Sequence, residues 1–487
     1  MASVNFEPSM LIAIIPELSL FILGLVILIY DLIYPTEQRA HLGWITGIGL
    51  FLIIGVSLAV ARPEAEPRLI WGGMLRQDWL SFVFKMLFLF GAAITSLLIK
   101  DVDRIGRAGE FYLLLLASTL GMNLMASAAD LIMLYLAIET TSIPLYVLAG
   151  FLKQDDKSTE AGFKYLLFGA MTSAVMLYGL SLLYGFSGTT NIYELVAGIQ
   201  QGQVPNLVLL GSLLLVLVGF GFKTSLVPFH FWAPDVYEGA PTPVAGFIST
   251  ASKAAGFAVL VRVLMTAYPT ITPYWGAIMA GLATATMTLG NFLALAQKNI
   301  KRLLAYSSIA HAGYALIGFT AVSSSLGVTS VIFYLMVYLV TNLAAFGIVS
   351  AFGKVTGSDD IAAYAGLSRR SPWLALALMV AFLSLAGMPP FGGFVVKFSV
   401  FAAAVQANMV WLAVVGVLNS IVGLYYYLTV LKVVYLYRSE DEEKPLPISQ
   451  TYTFVLVVLT LGIILLGTII APWFNLSHTA AQAIAFR

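Results

Sequence analysis

Fourteen stretches of this chain are apolar for long enough to cross a bilayer, and that property removes nearly every soluble architecture. A spanning helix needs about 20 apolar residues, because hydrocarbon is ~30 Å thick and each residue rises ~1.5 Å. The stretches are 8–33, 41–61, 78–99, 109–127, 130–151, 161–186, 206–236, 241–267, 273–296, 303–322, 327–353, 372–403, 407–436 and 451–474. Backbone polar groups find no water in hydrocarbon, so spans of this length must be helical. The composition agrees: 60% of residues are apolar and 10% charged, against about 25% charged in a soluble domain. The chain reads as an all-α polytopic membrane protein with the lipid bilayer as its solvent. Asn191–Gln200 is too short to cross and is expected to lie along the interface.

Charge fixes the orientation and excludes several functions. The N-terminus and the loops after even-numbered spans hold Arg62, Arg68, Arg76, Arg262 and, at the C-terminus, Arg487. The loops after odd-numbered spans hold sixteen basic residues, including Lys100, Arg104, Lys157, Lys164, Lys301 and Arg302. The positive-inside rule then puts both termini outside the cytoplasm. A net charge of +1 and the lack of a basic patch argue against a nucleic-acid partner. With no cysteine, the chain holds no thiolate-bound iron–sulfur cluster, attached haem or disulfide. Any electrons travel through other subunits. The first run contains Glu17 and lacks a basic flank, so it is read as a mature span and not a signal peptide.

Four basic residues remain inside the spans: Lys85, Lys223, Lys253 and Lys397. A charge in hydrocarbon costs a few kcal/mol at least, and such residues mark ion pathways. Lys223 and Lys253 flank a segment containing Pro228, His230 and Pro234, and Pro389 and Pro390 precede Lys397. Interior prolines break helices, so spans seven and twelve are expected to be discontinuous. Spans seven and twelve are five positions apart in the order of crossings, an odd number, so the two run in opposite directions, the pattern of inverted repeats around a transport site. Glu139 lies near the middle of span five and His311 inside span ten. Glu139, Lys223, Lys253, His311 and Lys397 thus make a candidate lateral file of protonatable groups. Low dielectric disfavours the charged form of any group, and a nearby opposite charge restores it. A Glu139–Lys223 pair would therefore hold a proton on the amine until the carboxylate moved. Lysine suits this role because arginine does not deprotonate.

Plainer readings exist for several of these residues. Lys85 sits near a helix end, where snorkelling competes with a buried role, and His311 is either a packed polar residue or a relay. His230 is read as gating or structural, Asp235 and Glu238 as capping or anchoring the turn before Pro241, and Glu17 and Asp31 as weak candidates. GFGFKTS (219–225) is no phosphate loop, since Phe222 replaces the glycine required before the lysine.

FKTSLVPFHFWAPDVYEGAPTPVAGFISTASKAAGF, followed by QKNIKRLLAYSSIAHAGY (297–314), closely resembles the antiporter-like membrane subunits of respiratory complex I. These are related to the large subunits of Mrp-type sodium/proton antiporters. With Glu139 and PPFGGFVVKF the resemblance covers residues 75–436, and the VYEGAP wording and Lys397 match the family's N-type branch. It implies a proton-translocating subunit of an NADH:quinone oxidoreductase with two inverted five-helix repeats, 109–267 and 273–436. Three helices (1–108) would precede them, and a cytoplasmic loop with a last helix (437–487) would follow. It assigns proton transfer to Glu139, Lys223, Lys253, His311 and Lys397. It also implies NADH, FMN, iron–sulfur clusters and quinone in other subunits, M-type and K-type neighbours, and a bacterial plasma membrane, with a thylakoid as the alternative. A sodium/proton antiporter subunit, a ferredoxin-driven photosynthetic complex and a passive membrane anchor are the rival readings.

Overall fold

The computed structural model describes residues 7–64, 66–102, 105–439 and 444–485. Arg104 and Arg487 of the charge count, and residues 440–443, lie outside them. The first crossing is α1 (Pro8–Ala13) leading into α2 (Ile15–Ile33), and α3 (Leu42–Val60) returns. An antiparallel hairpin of β1 (Arg68–Ile70) and β2 (Leu75–Gln77) then leads to α4 (Trp79–Ile99). The next group is α5 (Gly109–Ser127), α6 (Leu131–Ala149), α7 (Asp156–Ser187), α8 (Ile192–Gln200), α9 (Asn206–Thr224), α10 (Trp232–Gly239), α11 (Thr242–Phe247) and α12 (Lys253–Ala267). The following group is α13 (Thr272–Leu295), α14 (Ile300–Thr320), α15 (Gly327–Thr356), α16 (Leu367–Arg370), α17 (Pro372–Ala386), α18 (Gly392–Gln406) and α19 (Val410–Leu436). α20 (Gln450–Thr468) and α21 (Ile470–Ala485) close the described chain.

Among the described residues, twelve helices are long and apolar enough to cross a membrane. The two other expected crossings are present but less simple. α14 is diluted by Ser307, Ser308 and His311, and span twelve is divided into α17 and α18. The bundle is built around α15 and the α11–α12 crossing, which are buried along their length. α2, α7 and α19 turn Leu, Ile and Phe side chains outward, as lipid-facing helices do. α8 is too short to cross and buries Ile192, Leu195 and Ile199.

The inverted repeat is visible in backbone pairing. Asp130 caps the start of α6 and bridges Asn191, beyond the end of α7; Asn299 caps the start of α14 and bridges Asp360, beyond the end of α15. α7 and α15 each end on a left-handed glycine, Gly188 and Gly357. α9 ends on Ser225 (φ +58°) and α17 on Gly387 (φ +89°), and the chain then breaks before α10 and α18. Pro228, Pro389 and Pro390 lie in these breaks. Pro234 does not: it occupies the first turn of α10, where no helical hydrogen bond is lost.

The second break folds back tightly on itself. A Cβ added to Gly393 in the first turn of α18 would stand 1.7 Å from the Ser384 carbonyl oxygen. Gly393→Ala is expected to push α18 off α17 and to cost at least the roughly 1–3 kcal/mol of an overpacked core. The check is the amount of subunit recovered in membranes. Wild-type amounts would show that the two half-helices separate freely.

Candidate functional site

Lys223 lies in the last turn of α9, and its Nζ donates to Ser142 Oγ of α6 at 3.0 Å. The direct Glu139–Lys223 ion pair expected from the sequence is absent. Ser142, one turn along α6, occupies that place, and Glu139 instead accepts a short hydrogen bond from Ser173 of α7. Glu139 and Lys223 nevertheless line one small cavity of about 20 Å³, with Ser142, Tyr146 and Ser173. That is room for about one water, so a proton needs only a small rearrangement to pass between the two.

Lys253 follows a single π-helical turn, Ile248–Ser252, between α11 and α12. Such turns widen a helix and occur at functional sites. Nζ donates to the carbonyl oxygen of Ser308 at 2.8 Å and to its hydroxyl at 2.6 Å. Gly256, one turn on, brings α12 against α9: a Cβ there would stand 3.1 Å from Lys223 Cγ. The neighbouring lysines are thus held on helices in direct contact.

His311 is one turn beyond Ser308 on α14. Nδ1 lies 2.7 Å from the Tyr334 hydroxyl and Nε2 3.4 Å from the Tyr427 hydroxyl, which also bonds Ser307. The ring stacks on Tyr338, with centroids 5.1 Å apart. Lys397, in the second turn of α18, donates to the Ala386 carbonyl at 3.1 Å, a group freed where α17 ends. Its ammonium stands 4.6 Å from the centre of the Tyr314 ring, the geometry of a cation–π contact. Lys223, Lys253, His311 and Lys397 are all buried, so their polar partners are protein groups and not bulk water.

His230 is buried beside Phe231, and its Nδ1 has no hydrogen-bond partner among the described residues. It bonds none of the lysines. Asp235 and Glu238 anchor the turn by ion pairing: Asp235 pairs with Lys164 and Arg302, and Glu238 with Lys157 and Arg302. These contacts pin α10 to α7 and α14.

Several polar groups escaped the sequence reading. Ser142, Ser308, Tyr334, Tyr338 and Tyr427 look like ordinary helix residues until the bundle assembles them. Arg262 was counted with the loops, but it lies within α12 and is buried. It grips Asp78 at 2.8 and 2.9 Å, and Arg76 stands 3.2 Å from the same carboxylate. Lys85 does not snorkel. It is buried and pairs with Glu17 of α2 at 2.8 Å.

Residues 128–423 match the family model described as "NADH:quinone oxidoreductase/Mrp antiporter, TM". NADH-quinone oxidoreductase subunit N of Moorella thermoacetica is 44% identical over 461 residues, covering 94% of this chain and 96% of that protein. The subunit of the same name from Trichlorobacter lovleyi is 41% identical over 485 residues, covering 98% of each. A chain of respiratory complex I from Thermus thermophilus superposes with a TM-score of 0.80 at 34% identity, covering 95% of this chain and 99% of that one. A chain of an Mrp complex from a Dietzia species gives 0.85 at 20% identity, covering 98% and 100%, which is a likeness of fold.

Proposed function

The chain belongs to the NADH:quinone oxidoreductase/Mrp antiporter membrane family, and from that premise we propose that its buried Glu139, Lys223, Lys253, His311 and Lys397 carry the translocated protons. It is a proton-translocating membrane-arm subunit of N type, part of a translocase whose redox chemistry takes place in other subunits. NADH, FMN, iron–sulfur clusters and quinone are assigned to those subunits. One observation supports the reading most: Lys223, Lys253 and Lys397 bond hydroxyl and carbonyl groups, not carboxylates that would lock them as permanent ion pairs. Lys223 bonds Ser142 and shares a small cavity with Glu139, and Ser308 joins Lys253 to the helix of His311.

In this reading Glu139 acts on Lys223 across the small cavity that both line. With Glu139 ionised and near, the amine holds its proton; with Glu139 withdrawn or neutralised, the buried ammonium releases it. Two unit charges 4 Å apart at an effective dielectric near 20 interact by about 4 kcal/mol, so a local displacement moves a proton. The breaks at residues 225–231 and 387–391 leave backbone free to shift, and each ends beside or within two turns of a file lysine. Pro228, Pro389 and Pro390 are exposed at membrane depth. Irregular backbone is not left facing lipid, which supports flanking membrane subunits; the family resemblance makes these M and K type. The two repeats are assigned to 109–267 and 273–436. The charge count supports extracytoplasmic termini, and the family resemblance supports a bacterial plasma membrane.

Ser308→Ala and His311→Leu in the assembled complex test the file. Both are expected to keep quinone reductase content while proton pumping in vesicles falls, His311→Leu the more. Wild-type pumping in both variants would overturn the assignment of this segment.

A further inference from the structure

A second buried acid–base pair lies outside the file, in the three helices α2, α4 and α5. Glu17 and Lys85 are each more than nine-tenths buried, and Nζ stands 2.8 Å from Oε1. That contact is close in distance but outside hydrogen-bonding geometry, and neither carboxylate oxygen takes a hydrogen bond from any described residue. Asn123 of α5 has no exposure, and both atoms of its amide lack a partner among the described residues.

Helix register puts these three groups at one depth. Gly109, which opens α5, donates to Asp31 of α2, and α4 ends at Ile99 across the short connection from the same level. Glu17, Lys85 and Asn123 lie fourteen residues from Asp31, Ile99 and Gly109 respectively, about 21 Å along antiparallel neighbours. A carboxylate, an ammonium and an amide therefore share one level of a dry bundle with most of their hydrogen-bonding capacity unused. A buried amide left unpaired is costly, and a buried ion pair lacking further hydrogen bonds is rarely worth its desolvation. Packing alone does not account for such a cluster. Ordered water, which bonds about three buried polar groups at a time, does.

We infer that Glu17, Lys85 and Asn123 form a hydrated, proton-exchanging site, separate from the file and reached from the membrane face on which α2 and α4 begin. The pair takes up one proton at the Glu17 carboxylate beside a retained Lys85 ammonium and returns it to the same water. Asn123 holds that water by donating through its amide nitrogen and accepting through its oxygen. Other charged groups on the packed elements are engaged elsewhere or stand at the far ends of their helices: Asp31 pairs with Arg39, Glu139 accepts from Ser173, and Glu110 and Lys354 lie in the first turn of α5 and the last turn of α15. Arg76 and Arg262 hold Asp78, Lys253 holds Ser308, and His478 of α21 meets Thr329 and Gln482. α3 contributes no charge, while Tyr334 and Tyr338 of α15 bond His311 and Asn342.

The inference rests on the proton-translocating reading, and infrared difference spectroscopy of the whole complex in lipid, between acid and neutral pH, separates the two. A carboxylic-acid C=O band is expected that shifts in D₂O, is lost in Glu17→Gln and changes frequency in Asn123→Leu. The neutral double variant Glu17→Gln/Lys85→Gln keeps an amide pair in the same space and is expected to assemble without the band. No Glu17 band at either pH, or an Asn123→Leu variant with an unchanged band and higher stability, would overturn the site as dry packing. Lys223→Ala in the same preparations tests the file alone. Loss of pumping there with no Glu17 band leaves the file standing and removes this site.

Discussion

Replacing Arg262 by alanine is expected to remove this subunit from the assembled complex. Asp78 is the N-cap of α4, accepting from Ser81 N at 2.8 Å, and it is fully enclosed. Arg262 reaches it from α12 with both terminal nitrogens and also donates to the Ala126 carbonyl of α5 and the Tyr193 hydroxyl of α8. One guanidinium therefore ties four helices at one end of the bundle. Burial alone would raise the Asp78 carboxyl, but Arg262, the Ser81 N–H and Arg76 together hold it below the usual carboxylate range. Removing one member of a buried charge cluster leaves the remaining charges less well compensated in a dry site, at about 3–5 kcal/mol, a large part of a typical stability of 5–15 kcal/mol. Asp78→Asn should be at least as harmful, because it strands two cations. A folded value below the free one means that this stabilisation is complete above about pH 4. It fades as pH falls through the lowered folded value. The check is subunit content of the complex on native gels. Wild-type content in both variants would mean the cluster is solvated and dispensable.

The sequence revealed the parts of the site that are chemically out of place. A lysine in an apolar run stands out whatever its neighbours are, and so Lys223, Lys253 and Lys397 were legible. The prolines of both breaks were legible for the same reason, although Pro234 shows that a proline near a break can be an ordinary first-turn residue. What connects these groups was not legible. Whether Lys223 meets Glu139 or Ser142 depends on the separation and rotation of α6 and α9, which no one-dimensional pattern carries. Tyr334, Tyr338 and Tyr427 lie in apolar helices where an aromatic residue is unremarked, and only packing brings the Tyr334 and Tyr427 hydroxyls and the Tyr338 ring against His311. Arg262 was misread because it sits near the end of its span, where a basic residue usually snorkels, and its partner Asp78 looks like any helix cap. The Glu17–Lys85 pair escaped for a related reason: each residue has a plain explanation alone, and 68 positions separate them in the chain.

The central claim is that a buried amine gives up and regains a proton, and Lys223 is where it is most directly exposed to test. Proton pumping should be measured in membrane vesicles containing the assembled complex, with Lys223→Ala beside Lys223→Arg and quinone reductase activity followed in the same vesicles. Alanine removes the carrier, while arginine keeps the positive charge and cannot deprotonate. Both variants are expected to assemble and to lose pumping together with coupled turnover. Normal pumping in both would contradict the claim and make Lys223 a structural residue, and normal pumping with arginine alone would show that the site needs a fixed charge and not a mobile proton.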